Sequence, residues 1–223
     1  MKTVQVAIDG PAGAGKSTIS KQLAAQLGFV YIDTGAMYRA AALFCLERGI
    51  DNRNDVSAVL SVLDEITINL QQTDRLHIFL NGRDVSDEIR TNEVSMGASN
   101  IALIPQVRLK LVDLQREIAS EQSVVMAGRD IGTYVLPNAT VKIFLTASPE
   151  VRAKRRHLEL VEKGTFCDYQ KVLEELKARD KNDSEREFAP LKQAEDAILL
   201  DTSELTLEES IQAMKRLVEE RIQ

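Results

Sequence analysis

From Gly10 to Ser17 the chain reads Gly-Pro-Ala-Gly-Ala-Gly-Lys-Ser. Glycine, four residues, then Gly-Lys-Ser/Thr is a phosphate-loop spacing that requires a strand before it and a helix after it. Both are in place. Thr3–Ile8, TVQVAI, reads as a short buried strand ended by Asp9-Gly10-Pro11. Ser17–Leu27 places Ile19, Leu23, Ala24 and Leu27 at helical spacing, with Gly28 as the stop. A plain left-handed glycine turn with an exposed lysine would explain the glycines but would not demand those neighbours. The glycines let the backbone curl so that successive N–H groups converge on phosphate oxygens, and the positive end of the following helix dipole adds to them. In this role Lys16 reaches the β- and γ-phosphates and the Ser17 hydroxyl ligates Mg²⁺. The candidate ATP contacts are Gly10, Pro11, Ala12, Gly13, Ala14, Gly15, Lys16, Ser17 and Thr18.

The loop implies a nucleoside triphosphate without saying what is done with it. No Asn-Lys-x-Asp guanine motif is present, Asp180-Lys-Asn-Asp183 being a different pattern, and 223 residues is short for a mechanochemical ATPase. A small kinase remains.

The order of elements supports a parallel α/β sheet. A short strand over Phe29–Ile32 follows the first helix, and Thr34 is placed to cap a helix over Gly35–Arg48. The pattern then changes to period two: Ile66–Leu70 and Leu76–Leu80 alternate, joined by the polar residues Gln71–Arg75, which predicts a β-hairpin with one buried face. Asn81-Gly82 turns the chain toward Val85 and Ile89. The alternation resumes with helices over Glu93–Ile101 and Pro105–Ser120 and strands over Ser123–Ala127 and Val141–Leu145. Helices over Pro149–Glu162 and Tyr169–Asn182, a strand over Ile198–Leu200 and a helix over Thr206–Arg221 complete the chain. The expected fold is α/β: a P-loop, doubly wound, parallel five-stranded sheet with helices on both faces, read as a single domain over residues 1–223. An antiparallel insert at about 62–90 interrupts it.

Composition narrows the setting. Hydrophobic residues at 44% and charged residues at 28% are ordinary for a globular chain. The net charge of −6 argues against an extended basic face for nucleic acid. Cys45 and Cys167 form neither a Cys-x-x-Cys pair nor a metal cluster, and Cys45 in AALFCL reads as a buried small hydrophobe. No stretch approaches 18 uncharged apolar residues and the N-terminus lacks a signal-peptide core, so a cytoplasmic chain with no membrane contact is expected. Nothing in the sequence marks an interface, and a monomer is the default.

A kinase whose acceptor is itself a phosphate needs no strong base; it needs cations that offset the repulsion of two phosphates and hold them in line. Arg39, after Asp33-Thr-Gly-Ala-Met-Tyr38, and Arg129, in Gly128-Arg-Asp130, follow expected strand ends, as does Asp9. A surface turn is the bland account of Arg129–Asp130. Arg152, Arg155 and Arg156 share a helical face; such a run is ordinarily solvated, but beside a phosphate loop it fits a mobile lid at about 150–166, with Gly164 as hinge or turn. Arg179, Asp183 and Arg186 fall at i, i+4 and i+7, suited either to intrahelical ion pairs or to phosphate and ribose contacts. His77 and His157 match no ligand or triad pattern and receive no role.

Taken in order, IDGPAGAGKST, DTGAMYR, EIRT, MAGRDIGT, VKIFLTAS and RDKNDSER resemble bacterial cytidylate kinases, nearly from Ile8 to Asp201. The resemblance implies a core, a monophosphate-binding lobe at about 36–100 that includes the hairpin insert, and a short lid. It implies transfer of the ATP γ-phosphate to CMP or dCMP, with Mg²⁺. By the same resemblance, Thr34, Tyr38, Arg39 and Arg129 surround the acceptor phosphate and sugar, while Ser99, Arg108 and Asp130 read the cytosine. Arg179 and Asp183 contact the ribose, Arg186 joins the phosphate cluster, and Arg152 and Arg156 contact ATP. Lys16, Arg39, Arg129 and Arg186 form its catalytic set. The chain departs from the pattern at Ala127, commonly polar or acidic, and at Thr34, commonly serine. The first departure leaves Asp9, Asp33 and Asp130 as candidates to support Mg²⁺ beside Ser17, Asp33 through a water. Two other classes stand against this reading: a kinase of a small hydroxylated acceptor, a nucleoside or shikimate-like acid with Asp33 as base, and a non-enzymatic nucleotide switch.

Overall fold

The computed structural model describes residues 3–73, 75–162, 164 and 166–222. Asp74 of the expected hairpin connection and Lys163 and Thr165 of the expected lid lie outside the described residues. The strands are β1 (Gln5–Asp9), β2 (Val30–Asp33), β3 (Ile68–Gln72), β4 (Leu76–Leu80), β5 (Arg83–Asp84), β6 (Val124–Ala127), β7 (Val141–Thr146) and β8 (Ile198–Asp201). The α-helices are α1 (Lys16–Leu27), α2 (Thr34–Glu47), α3 (Val56–Ser61), α4 (Asn92–Ile101), α5 (Pro105–Glu121), α6 (Pro149–Glu162), α7 (Tyr169–Glu185) and α8 (Leu207–Ile222).

The expected α/β architecture is present: a five-stranded parallel sheet in the order β2-β6-β1-β7-β8 and a three-stranded antiparallel sheet in the order β3-β4-β5. By contacts the chain divides into two compact units, Met1–Phe29 with Gln122–Gln223, and Val30–Glu121.

In the first unit, β1 lies between β6 and β7, with Val6 opposite Val125 on one side and Val141 on the other. Val6, Ala7 and Ile8 are fully buried, as are Val124, Val125 and Met126. A parallel strand covered on both faces reads as a continuous apolar run; β6 reads so throughout, β1 between Gln5 and Asp9, and β7 apart from Lys142 and the terminal Thr146. Each such Val or Ile contributes about 1.5–3 kcal/mol by leaving water. β8 alternates between half-buried and exposed residues, as an edge strand does. Gly28 ends α1 in the left-handed region, φ 68. A π-helical turn over Ile131–Val135, between β6 and β7, has no counterpart in the sequence expectation.

In the second unit, α2 is buried along most of its length, and Cys45 is wholly buried, which pushes its thiol pKa up to about 11. The helix is capped by Asp33, whose Oδ1 accepts from the Ala36 N–H at 3.1 Å, rather than by Thr34. An ionised carboxylate outcompetes a hydroxyl for the positive end of the helix. The hairpin forms between β3 and β4, with Ile68 opposite Leu80 and Gln72 opposite Leu76. Its first strand begins two residues later than the alternation suggested, because Ile66 closes a 3₁₀ turn over Leu63–Glu65. Asn81 and Gly82, at φ 50 and 83, form a two-residue turn that returns the chain along β4 as β5, a strand the sequence reading omitted.

Candidate active site

The Gly10–Ser17 loop joins the end of β1 to α1, the arrangement its spacing demands. Gly10 sits at φ 148, and a Cβ there would lie 1.9 Å from the Leu145 carbonyl oxygen of β7. The loop can therefore leave the sheet at this point only through a glycine. The Lys16 side chain turns back over its own loop: Nζ donates to the Gly10 and Pro11 carbonyls, each at 2.7 Å. Burial and the nearby Arg129 hold the Lys16 pKa well below that of an ordinary lysine, against the opposing pull of Asp9 and Asp183. Ser17 and Thr18 are exposed at the first turn of α1.

Asp9, the last residue of β1, is buried. Its Oδ1 accepts from the Ile131 N–H and its Oδ2 from the Gly132 N–H, both at 2.7 Å, so the carboxylate sits on the amides that open the π-helical turn. Burial outweighs these two donors and pushes its pKa up to about 6, with Asp130 adding to the rise and Lys16 opposing it. Between about pH 4 and 6 the folded chain holds this proton and the unfolded chain does not. Stability therefore falls as pH rises through that window, by about 3 kcal/mol for a shift of this size. In Asp9→Asn that slope is expected to vanish. Urea unfolding of both proteins without nucleotide or Mg²⁺, at pH 4 and pH 7, checks it; a constant stability difference between them would refute the assignment.

The Gly128-Arg129-Asp130 segment follows β6, and its Gly128 N–H donates to the Ile8 carbonyl at 2.9 Å, holding it beside the root of the phosphate loop. It is no surface turn, since Asp130 is buried. Two ion pairs tie it to the end of α7: Arg129 Nε to Asp183 Oδ2 at 2.7 Å, and Asp130 Oδ1 to Arg186 at 3.2 Å. Burial pushes the Asp183 carboxyl up, but Arg129, Arg179 and Arg186 together hold it below the usual range. α7 runs to Glu185, so Arg179 and Asp183 share a helical face, whereas Arg186 is an extended C-cap residue, φ −61 and ψ 139, whose Nε donates to the Ala189 carbonyl at 2.6 Å.

The three arginines expected on one face of α6 diverge. Arg152 is buried against the phosphate loop, its Nε donating to the Ala147 carbonyl at 2.9 Å and an Nη to the Ala12 carbonyl at 2.8 Å. Arg155 donates to Thr202, and the half-exposed Arg156 pairs with Glu159 at 2.8 Å. Gly164 takes φ 74 in the turn after α6. His157 faces Cys167, with Nδ1 and Sγ 3.4 Å apart. Asp180 pairs with Arg152 at 2.7 Å and was given no role from sequence; no local spacing distinguishes it from any helical carboxylate.

In the second unit, Asp33 Oδ2 pairs with Arg39 at 3.3 Å while its other oxygen caps α2. Thr34 is buried at the start of α2. Arg108 is fully buried on α5, its guanidinium carbon 5.7 Å from the centre of the Tyr38 ring. Ser99 is exposed on α4 and its hydroxyl donates to the Ser95 carbonyl at 3.2 Å. His77 pairs with Asp84 in the antiparallel sheet, at 2.7 Å. Among the described residues no group of three or more His, Cys, Asp or Glu side chains gathers as a metal cluster, and no helix is long and apolar enough to cross a membrane.

A family model for cytidylate kinase matches residues 6–220. The chain is 53% identical over 218 residues to a cytidylate kinase of Caldicellulosiruptor bescii, covering 97% of this chain and 96% of the relative. It is 50% identical over 223 residues to a cytidylate kinase of Bacillus cytotoxicus, covering 100% and 99%. Among solved structures, a shikimate kinase from Bacteroides thetaiotaomicron aligns with a TM-score of 0.51 at 15% identity, covering 97% of this chain and 98% of that one, a likeness of fold. With the family model and these relatives spanning almost the whole length, the chain belongs to the cytidylate kinase family.

Proposed function

We propose that this chain transfers the γ-phosphoryl group of ATP to CMP or dCMP, giving CDP or dCDP and ADP. The observation that carries a phosphate acceptor over a hydroxyl acceptor is the state of Asp33. Both its oxygens are engaged, one by the α2 amide and one by Arg39, so it is poorly placed to act as a base. Beside it, Arg39 Nε is buried and has no hydrogen-bond partner among the described residues. A phosphate oxygen would satisfy that donor, since a buried unpaired N–H costs about 1–3 kcal/mol.

On this reading Lys16 and the loop from Gly10 to Thr18 hold the triphosphate, with Arg152 and Arg156 on the ATP side. Arg39, Arg129 and Arg186 neutralise charge that builds up between the two phosphates, with Thr34 and Tyr38 at the acceptor phosphate and sugar. Arg179 and Asp183 take the ribose. Asp130 accepts from the cytosine 4-amino group and Arg108 and Ser99 donate to O2 and N3. Uracil presents a carbonyl where Asp130 needs a donor, a costly mismatch in a buried site. The oxygen donors present suit Mg²⁺, which takes one or two protein ligands and completes its shell with phosphates and water. The exposed Ser17 hydroxyl would be the direct ligand, with Asp9, Asp33 and Asp130 the candidates behind it, and the ion would supply positive charge against the triphosphate. Residues 36–100 serve as the monophosphate lobe and 150–166 as the lid, in a cytoplasmic monomer.

An ADP-release assay with Mg-ATP and each of CMP, dCMP, UMP, AMP and GMP tests this. Turnover is expected mainly with CMP and dCMP. Comparable turnover with AMP would overturn the base assignment, and none with any of the five would overturn the phosphate acceptor.

A further inference from the structure

The amide planes on either side of Ala12 are held from outside the phosphate loop. Asp180 Oδ1 accepts from the Ala12 N–H at 3.3 Å, and its Oδ2 pairs with Arg152 at 2.7 Å. Arg152 in turn donates to the Ala12 carbonyl and, through Nε, to the Ala147 carbonyl just beyond β7. One carboxylate and one guanidinium thus grip the N–H and the C=O of the same residue, and the sheet anchors the guanidinium.

A trans peptide is planar, and its C=O and N–H point in opposite directions. Fixing the Ala12 N–H on Asp180 therefore turns the Pro11 carbonyl the other way, and Lys16 Nζ meets that carbonyl at 2.7 Å. Fixing the Ala12 carbonyl on Arg152 likewise turns the Gly13 N–H away from that guanidinium. We propose that Asp180, acting with Arg152, is a positioning residue for ATP: it locks the two amide planes at Ala12 so that the Gly13 N–H and the Lys16 ammonium face the triphosphate. This rests on the kinase reading above and adds to it a residue outside the loop.

The pair is separable from the packing around it. Ala12, Ala153, Val172, Leu173 and Leu176 form an apolar cluster that holds α6, α7 and the loop together without any charge. The side chain of Asp180 is itself partly exposed, at 22%. Removing its carboxylate frees the amide planes while leaving the cluster in place.

Asp180→Ala and Asp180→Asn in the full chain, with KM for ATP and for CMP and a direct titration of Mg-ATP by calorimetry, test the assignment. Asp180→Ala is expected to raise the ATP KM and Kd about tenfold or more, with the CMP KM within about twofold. Asp180→Asn, which keeps an acceptor for the Ala12 N–H, falls between it and the parent and decides the matter should the alanine variant fail to fold. ATP affinity within twofold of the parent, or ATP and CMP constants rising in parallel, would overturn the proposal. The calorimetric arm needs no acceptor: a parent chain that binds Mg-ATP but phosphorylates no CMP defeats the functional reading, and the titration of the variants still decides this one.

Discussion

Lys16→Ala is expected to lower kcat by roughly 10³-fold or more while leaving the fold intact. The ammonium is the one cation inside the Gly10–Ser17 loop, and on the proposed reading it stands where charge develops on the transferred group. Donors of that kind are worth about 3–4 kcal/mol each in a water-poor site, because they need no reorganisation as charge builds up. The fold survives for a reason visible in its environment. Lys16 is buried and its charged form is already disfavoured there, so its removal relieves a desolvation penalty even as it strips donors from the Gly10 and Pro11 carbonyls. Single-turnover rates with Mg-ATP and CMP, together with circular-dichroism melting, check both halves. A kcat within tenfold of the parent would mean that the loop does not hold the reacting phosphate.

Gly10→Ala should act in the opposite order, on the fold first. A methyl at this position would meet the Leu145 carbonyl oxygen at 1.9 Å and its carbon at 3.0 Å, and both atoms belong to the backbone of β7. No side chain can rotate aside. The backbone conformation, φ 148, is also one that alanine adopts only with strain. Strand or loop must move, at a cost of about 3 kcal/mol or more. For a chain of this length that lowers Tm by about 10 °C. ATP binding should weaken with it, because a displaced loop no longer points its amides at one place. A melting temperature within about 2 °C of the parent would show that the loop leaves the sheet by another path.

The parts of this molecule that sequence revealed are those with a local cause. α6 occupies the residues expected of it, Pro149–Glu162, and β4 those its alternation marked, Leu76–Leu80. The phosphate loop was legible because glycine and lysine at fixed offsets have few other reasons to coincide. The π-helical turn at Ile131–Val135 was not: its five residues carry no helical period, and what holds its first amides is the carboxylate of Asp9, more than a hundred residues earlier. β5 was missed although Asn81-Gly82 is a strong hairpin signal, because a strand of two residues has no alternation to detect. In the site, the charged residues could be named but not their partners. The i, i+4 rule could offer only Arg179 to Asp183, and no short window announces the hydrogen bond that Arg129 donates to Asp183 across 54 positions. Arg152 and Arg156 read alike in the sequence; one is buried under the loop and the other lies half-exposed at the surface. Pairings of this kind are decided by how strands and helices stack, which no short window contains.

The bonds from Lys16 to the carbonyls of Gly10 and Pro11 bear on when the entropy of ordering this loop is lost. A glycine-rich segment has more backbone freedom to give up than any other, on the order of 1–2 kcal/mol per residue. Had its curvature depended on the nucleotide, that loss would be subtracted from every binding event. Here the ammonium serves as an internal stand-in, giving the loop its shape as the chain folds. The loss then falls on the stability of a large core, and on the proposed reading an arriving triphosphate needs only to exchange two carbonyl oxygens for its own.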